Sequence, residues 1–133
     1  MTPAVYDDLD DLLADVPRDL GSTGWAEITP GEVAGFEAST SGPVSPYFAL
    51  SLTNRFLPDL IQVTGASSGV NYGADSIRFG APLSGGERVR CSAALVRASE
   101  VKGGVQTTVE VRVEVEGREE PACVVESLSR WLR

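Results

Sequence analysis

Histidine is absent from this sequence, and its absence excludes more chemistry than any residue present suggests. Without imidazole there is no Ser-His-Asp or Cys-His nucleophile system, no histidine metal ligand, and none of the usual general base for neutral pH. Any catalysis has to draw on carboxylate, tyrosine, lysine, serine or backbone groups. Cysteine is scarce too: Cys91 and Cys123 are the only two. Each sits in an apolar, strand-like context, which points to buried free thiols rather than a disulfide. Neither has the close partner spacing of a zinc site. No metal and no cofactor is expected. Long apolar runs are also missing. Nothing approaches the roughly 20 residues a membrane span needs, and Met1 to Leu20 is acidic, without the basic start of a signal peptide. A cytoplasmic location is the expectation. Positive charge is in deficit, 11 Lys and Arg against 19 Asp and Glu, for a net charge of −8 and a pI near 4.4. Such a chain repels phosphate backbones and anionic membranes, so neither nucleic acid nor membrane is expected as a partner. Its acidity serves solubility.

What is present fits one domain spanning residues 1–133. A chain of this size can bury a core without metals or disulfides. Residues 1–20 form an N-terminal extension, with a short helix from Tyr6 to Ala14 in which Val5, Leu9, Leu12 and Leu13 recur at helical spacing. Pro17 and Gly21 punctuate its end. Gly24 to Ile28 is a short extended piece. Thr29 then caps a second helix, with Pro30 in its first turn and Glu32 at the third position. It runs through Val33, Phe36 and Glu37 and stops in the Ser39 to Pro46 cluster. A longer helix follows, from about Pro46 to Ile61, capped by Ser45. Phe48, Ala49, Leu52, Phe56 and Leu60 mark one apolar face, and Leu50, Leu57 and Ile61 widen it, so the helix should be buried. Pro58 is placed to kink or shorten it.

The remainder is β. Val70–Tyr72 and Ser76–Phe79 make one extended region around Gly73, and Arg88–Val96 a second strand. From Val105 to Glu116 valines and Thr107 alternate with polar residues in strict period two, so one face is buried and one is wet. A last strand spans about Ala122 to Trp131. Turns lie at Lys102-Gly103-Gly104 and Glu116-Gly117-Arg118. Helices first and an antiparallel meander after them predict an α+β fold, a sheet wrapped on a buried helix.

The segment Asn71-Tyr72-Gly73, followed by Arg78-Phe79 and Ala81-Pro82-Leu83, resembles the NYG…RF.AP motif of the MaoC-like (R)-specific enoyl-CoA hydratases and dehydratases, the nodulation-N type in particular. Gly86-Glu87-Arg88-Val89-Arg90, Val113 to Gly117, and Pro121 to Glu126 are similar to later motifs of that family. Trp25, Ile28-Thr29 and Val33 to Phe36 are similar to an earlier one. The resemblance covers about Gly21 to Trp131. It implies a hot-dog fold, a curved antiparallel sheet wrapped around a long central helix. It also implies pairing into dimers, as a homodimer or a hetero-oligomer with another hot-dog subunit, and an acyl-pantetheine tunnel along the interface.

The chain departs from the pattern where the family carries its catalytic Asp and His. Phe36 to Gly42 runs straight into Pro43 to Phe48. Ser41 and Gly42 stand where the family has Gly and the catalytic Asp, and the overhang that bears His is missing. Hydration of an enoyl thioester needs a base for water and an acid for the alpha carbon, so ordinary hydratase activity is expected to be absent and the cleft wider. Two readings follow. One is an isomerase, cyclase or lyase for a bulky polyketide-like or acyl-thioester substrate, in the secondary metabolism of a high-GC bacterium, working by positioning and polarisation. The other is a non-catalytic acyl-binding partner subunit. The candidate catalytic residues are Tyr47, Asn71 and Tyr72. Candidates for binding substrate are Ser41, Ser45, Asn54, Asp75 and Arg78. Each has a plainer role open to it: packing for the tyrosines, a bulge or turn for Asn71 and Asp75, a cap for Ser45, a wet strand face for Arg78.

Overall fold

Valine alternation builds the centre of the molecule. Strand β7 (Gly104–Val115) buries Val105, Thr107, Val109, Val111, Val113 and Val115, while Glu110, Arg112 and Glu114 point outward. β-Branched residues suit a half-buried pleated strand. On one side β7 pairs antiparallel with β6 (Arg88–Val101), whose Val89, Cys91, Ala93 and Leu95 share its inner face. On the other it pairs with β8 (Cys123–Leu132). Gly103, at a φ of 86°, gives the β6–β7 hairpin the left-handed residue that L side chains resist. The computed structural model describes residues 2–43 and 45–133.

Among the described residues the sheet has six strands, ordered β2-β6-β7-β8-β5, with β3 (Ala26–Glu27) also pairing β6. Strand β2 (Arg18–Ser22) closes one edge with a bulge between Asp19 and Gly21. Strand β5 (Ser68–Phe79) forms the other edge. It carries two bulges against β8, one around Tyr72 and one around Asp75. The extended region expected around Gly73 is one continuous strand, irregular at these two points.

Helix α2 (Pro30–Thr40) starts as its sequence implies: Glu32 N–H donates to Thr29 Oγ1 at 3.1 Å, with Pro30 in the first turn. It ends within the expected Ser39 to Pro46 cluster, after Thr40, on Ser41 in the left-handed conformation (φ 56°). Val44 lies outside the described residues.

The wrapped segment is a correction. One helix from Pro46 to Ile61 is expected, but the chain makes α3 (Tyr47–Ser51), α4 (Thr53–Phe56), a 3-10 turn (Leu57–Asp59) and a strand, β4 (Ile61–Val63). Two hydroxyls bond back to the preceding turn, Ser51 Oγ to Phe48 O at 2.6 Å and Thr53 Oγ1 to Leu50 O at 2.9 Å. Such bonds bend helices. Pro58 then lacks the N–H that another turn needs. The apolar face holds regardless: Phe48, Ala49, Leu52, Phe56 and Leu60 are all buried.

The N-terminal stretch is also more than a helix. Residues Ala4–Tyr6 form β1, parallel to β4, and α1 spans only Leu9–Ala14. Asp8 caps α1, accepting from Asp10 N–H at 2.8 Å, so the helix cannot begin at Tyr6. Tyr6, Leu9 and Leu12 join the main core. Tyr6 Oη donates to Asp15 Oδ2 at 2.7 Å, and Arg18 Nη1 donates to both. The bond from Tyr6, then that from Arg18, holds the Asp15 carboxyl below its ordinary range. A carboxylate with a depressed folded pKa adds stability above its unfolded pKa and loses it as pH falls through the folded value. Thermal denaturation should therefore show wild type above Asp15→Asn at neutral pH. The gap should close as the buffer is taken below the usual carboxylate range.

Candidate functional site

The wrapped segment lies antiparallel to β5 on the sheet's inner side. Tyr47, at its start, packs edge-on against Phe79 at the end of β5, with ring centroids 5.3 Å apart. Asn54, in α4, meets Asn71 near the start of β5, where Asn71 Nδ2 donates to Asn54 Oδ1 at 3.2 Å. This amide pair stands at a cleft of about 160 Å³ between α4, the 3-10 turn and the strands β5, β7 and β8. Leu57, Pro58, Ile61 and Val109 supply its apolar wall. Thr53, Ser127 and Ser129 add hydroxyls, and Trp131 closes one side. The Trp131 indole is fixed by its Nε1–H, which donates to Thr107 Oγ1 at 2.9 Å.

Among the described residues no titratable side chain lines this cleft. Its means of acting on a ligand are shape, hydroxyls and amides. The Asn54–Asn71 bond uses one amide N–H and one carbonyl lone pair; the remaining amide N–H groups are donors suited to a ligand carbonyl. At about 160 Å³ the cleft lies under the roughly 300–1,000 Å³ of ordinary ligand pockets. Phe56, Leu60 and Ile61 pack into the core and fill the space.

Of the candidate residues, the fold brings together only Asn54 and Asn71. Tyr47 is 61% exposed and sits at the opposite end of β5. From Asn71 to Phe79 the paired strand takes six steps, Ser129 to Cys123, or about 20 Å at strand rise. Ser45 Oγ accepts from Tyr47 N–H at 3.2 Å and so acts at the start of α3. Ser41 ends α2. Tyr72, expected in the pocket, lies on the outer face, with the Arg130 guanidinium 3.7 Å from its ring centroid. Asp75 lies there too, paired with Arg97 at 3.5 Å. The physical reason is the two bulges: each adds a residue that the pleat turns outward. Arg78, opposite Val124, lines an open outer depression with Arg112 and Glu120.

Ser127, Ser129 and Trp131 are site residues that the sequence reading leaves out. Their signal is period two in the last strand, in phase with buried Val125. Both cysteines are free and buried, and burial pushes the Cys91 thiol up to about 12, so neither acts as a thiolate near neutral pH.

Gly69 guards the shape of the cleft. A Cβ there would fall 2.5 Å from Trp131 Cζ3 and 2.8 Å from Cε3. Gly69→Ala should push the indole aside, shift its emission and cost about 1–3 kcal/mol in denaturant titration.

Among the described residues no group of three or more Cys, Asp or Glu is placed to hold a metal ion, and no helix is long and apolar enough to cross a membrane. No protein-family model matches the chain. The curated 3-hydroxyacyl-thioester dehydratase Z of Mycobacterium tuberculosis is 33% identical over 147 residues, covering 96% of this chain and 97% of that protein. Among solved structures, the MaoC-like dehydratase from Rhodospirillum rubrum superposes with a TM-score of 0.68 at 12% identity, over 94% of this chain and 96% of that one. The (R)-hydratase from A. caviae involved in PHA biosynthesis does so with a TM-score of 0.60 at 18% identity, over 84% and 95%. At these identities the structures speak for the fold, a sheet wrapped on a buried helical segment, and the mycobacterial relative for the lineage. This chain belongs to the MaoC-like hydratase and dehydratase family and has its hot-dog fold.

Proposed function

We propose that this protein holds a hydrophobic, carbonyl-bearing compound of acyl-thioester or polyketide-like class at the Asn54–Asn71 cleft, and that it does not hydrate or dehydrate it. It acts as an isomerase, cyclase or lyase, by positioning the ligand and polarising its carbonyl. The observation that carries this reading is the lining of the cleft. It has apolar walls, two amides in contact, and no group that exchanges a proton at working pH. Two further points support the loss of the acid–base segment. The comparison with the mycobacterial dehydratase spans 147 residues against 133 in this chain, so that protein carries residues this one lacks. Ser41 holds a left-handed backbone at the place where the family pattern has glycine, as a scaffold would if its turn stayed and the segment beyond it went.

The test uses Trp131 as reporter, in a Trp25→Phe background that leaves one tryptophan. Titration with trans-2-decenoyl-pantetheine should give a saturable change in emission. Asn71→Leu should weaken it about tenfold, the worth of one good hydrogen bond. Mass spectrometry of the recovered ligand then separates the roles: an isomerised, cyclised or cleaved product marks the enzyme. The absence of titratable groups from the cleft also favours a second reading, an acyl-binding subunit of a heteromeric dehydratase. Unchanged ligand, with tight binding to a second hot-dog chain, marks that role. No emission change up to millimolar probe overturns both.

A further inference from the structure

The inner face of the sheet changes character at the cleft. Val109, Val111 and Val113 on β7 and Val125 on β8 give it a valine surface. Toward the Trp131 end polar residues replace them. Thr107, Ser129 and Asn71 stand side by side on β7, β8 and β5, and Ser127 is one pleat away. The hydrogen bonds around the cleft run from Thr53 to Leu50 O, from Asn71 to Asn54 and from Trp131 to Thr107, and none of them uses Ser127 or Ser129. Both serines are half-buried and line the cleft. A hydroxyl taken partly out of water without a protein partner is unfavourable unless something in the cleft bonds to it.

The open donors are adjacent. Asn71 lies directly across from Ser129, and the Cβ atoms of such a pair are about 5 Å apart. One Asn71 N–H is engaged with Asn54 and the other is open. The Ser129 O–H beside it is a second donor on the same face. Two donors so placed suit two oxygens on alternate carbons better than a single carbonyl.

We propose that the ligand of this cleft is a 3-oxoacyl thioester, held as its planar enol between the apolar wall and the Asn71–Ser129 donor pair. The proposal rests on the cleft being the ligand site. Three properties of the cleft meet in such a molecule. The first is the lack of a base. An enoyl or saturated thioester needs one to lose its proton, whereas a 1,3-dicarbonyl enolises in water without one. The proton on carbon 2 of the ketone is then on the 3-oxygen of the enol, and the shift needs no oxidant, reductant or co-reactant. The second is the wall of Leu57, Pro58 and Ile61. It suits a flat enol closed by its own internal hydrogen bond, whose outer lone pairs are left to Asn71 and Ser129. The third is the volume: about 160 Å³ accommodates a compact head group and not a long chain.

Calorimetric titration tests this by comparing 3-oxodecanoyl-pantetheine with the trans-2-decenoyl and 3-hydroxydecanoyl thioesters of the same length. The 3-oxo ligand should bind about tenfold more tightly than either, the effect of one further good hydrogen bond. Difference spectra should show the near-ultraviolet band of the enol growing as it binds. In Ser129→Ala the ratio of 3-oxo to decenoyl affinity should fall to near one, and adding Ser127→Ala should remove what preference is left. Ser129→Cys keeps the shape and weakens the donor, and gives the same readout if the alanine variant does not fold. Equal binding of the 3-oxo and decenoyl ligands overturns the proposal. So does a 3-hydroxy ligand held as tightly as the 3-oxo one, or a preference that survives in both Ser129 variants. Each of these leaves the cleft standing as an acyl site. Tight 3-oxo binding without the enol band overturns the enol. Failure of all three ligands to bind condemns the cleft itself.

Discussion

Crotonyl-CoA offered to this protein should remain unhydrated, with turnover roughly 10⁴-fold or more below that of a dehydratase carrying both acid–base groups. The magnitude follows from the proposed loss of the acid–base pair. Each positioned acid or base is worth about 10²–10⁴-fold, and the proposal removes two. Nothing in the cleft substitutes for them: the lining has amides, hydroxyls, apolar side chains and an indole. The measurement is loss or gain of enoyl-thioester absorbance at high protein concentration, in both reaction directions. Turnover at the level of ordinary dehydratases defeats the claim that the acid–base segment is gone. A slow rate that is insensitive to pH across the neutral range agrees with catalysis by polarisation alone.

The features legible in the sequence are those set by near neighbours. Alternation from Val105 to Val115 fixes the inner face of β7, because the pleat sends each next side chain to the opposite side. Thr29 and Pro30 fix the start of α2 for the same local reason. Partners far along the chain are not legible. Strand β1 exists because Ala4 to Tyr6 find Ile61 to Val63, and nothing within either segment announces the other. The wrapped segment reads as one helix because its apolar spacing is the same whether the helix is continuous or broken; Ser51, Thr53 and Pro58 decide which. In the site, the Asn71-Tyr72-Gly73 motif marks the correct strand but not the face. The bulge around Tyr72 resets the phase, so Asn71 turns inward to Asn54 and its neighbour outward to Arg130. Shape at that scale is a property of pairing with β8, and period counting along β5 alone cannot supply it.

The wrapped segment, broken as it is, holds the sheet's curvature, and Phe48→Ala is the substitution expected to show it. Phe48 is 5% exposed and packs edge-on against Phe36 with centroids 5.3 Å apart, joining the wrapped segment to α2. Truncation removes buried apolar surface and leaves a void that the neighbours fill only in part. The cost is about 3–5 kcal/mol, against a typical total of about 5–15 for a domain. For a chain of 133 residues the melting temperature should fall by about 10–20 °C. The consequence reaches the cleft. Helices α3 and α4 are short and separated by Leu52 alone, so loss of the anchor at Phe48 frees Asn54 to drift from Asn71. Calorimetry gives the stability, and Trp131 emission at a temperature where the variant is still folded gives the site. If the variant melts with wild type, the segment is not what the sheet folds upon. If it melts early but the Trp131 environment is unchanged while folded, the cleft is held from the strand side alone.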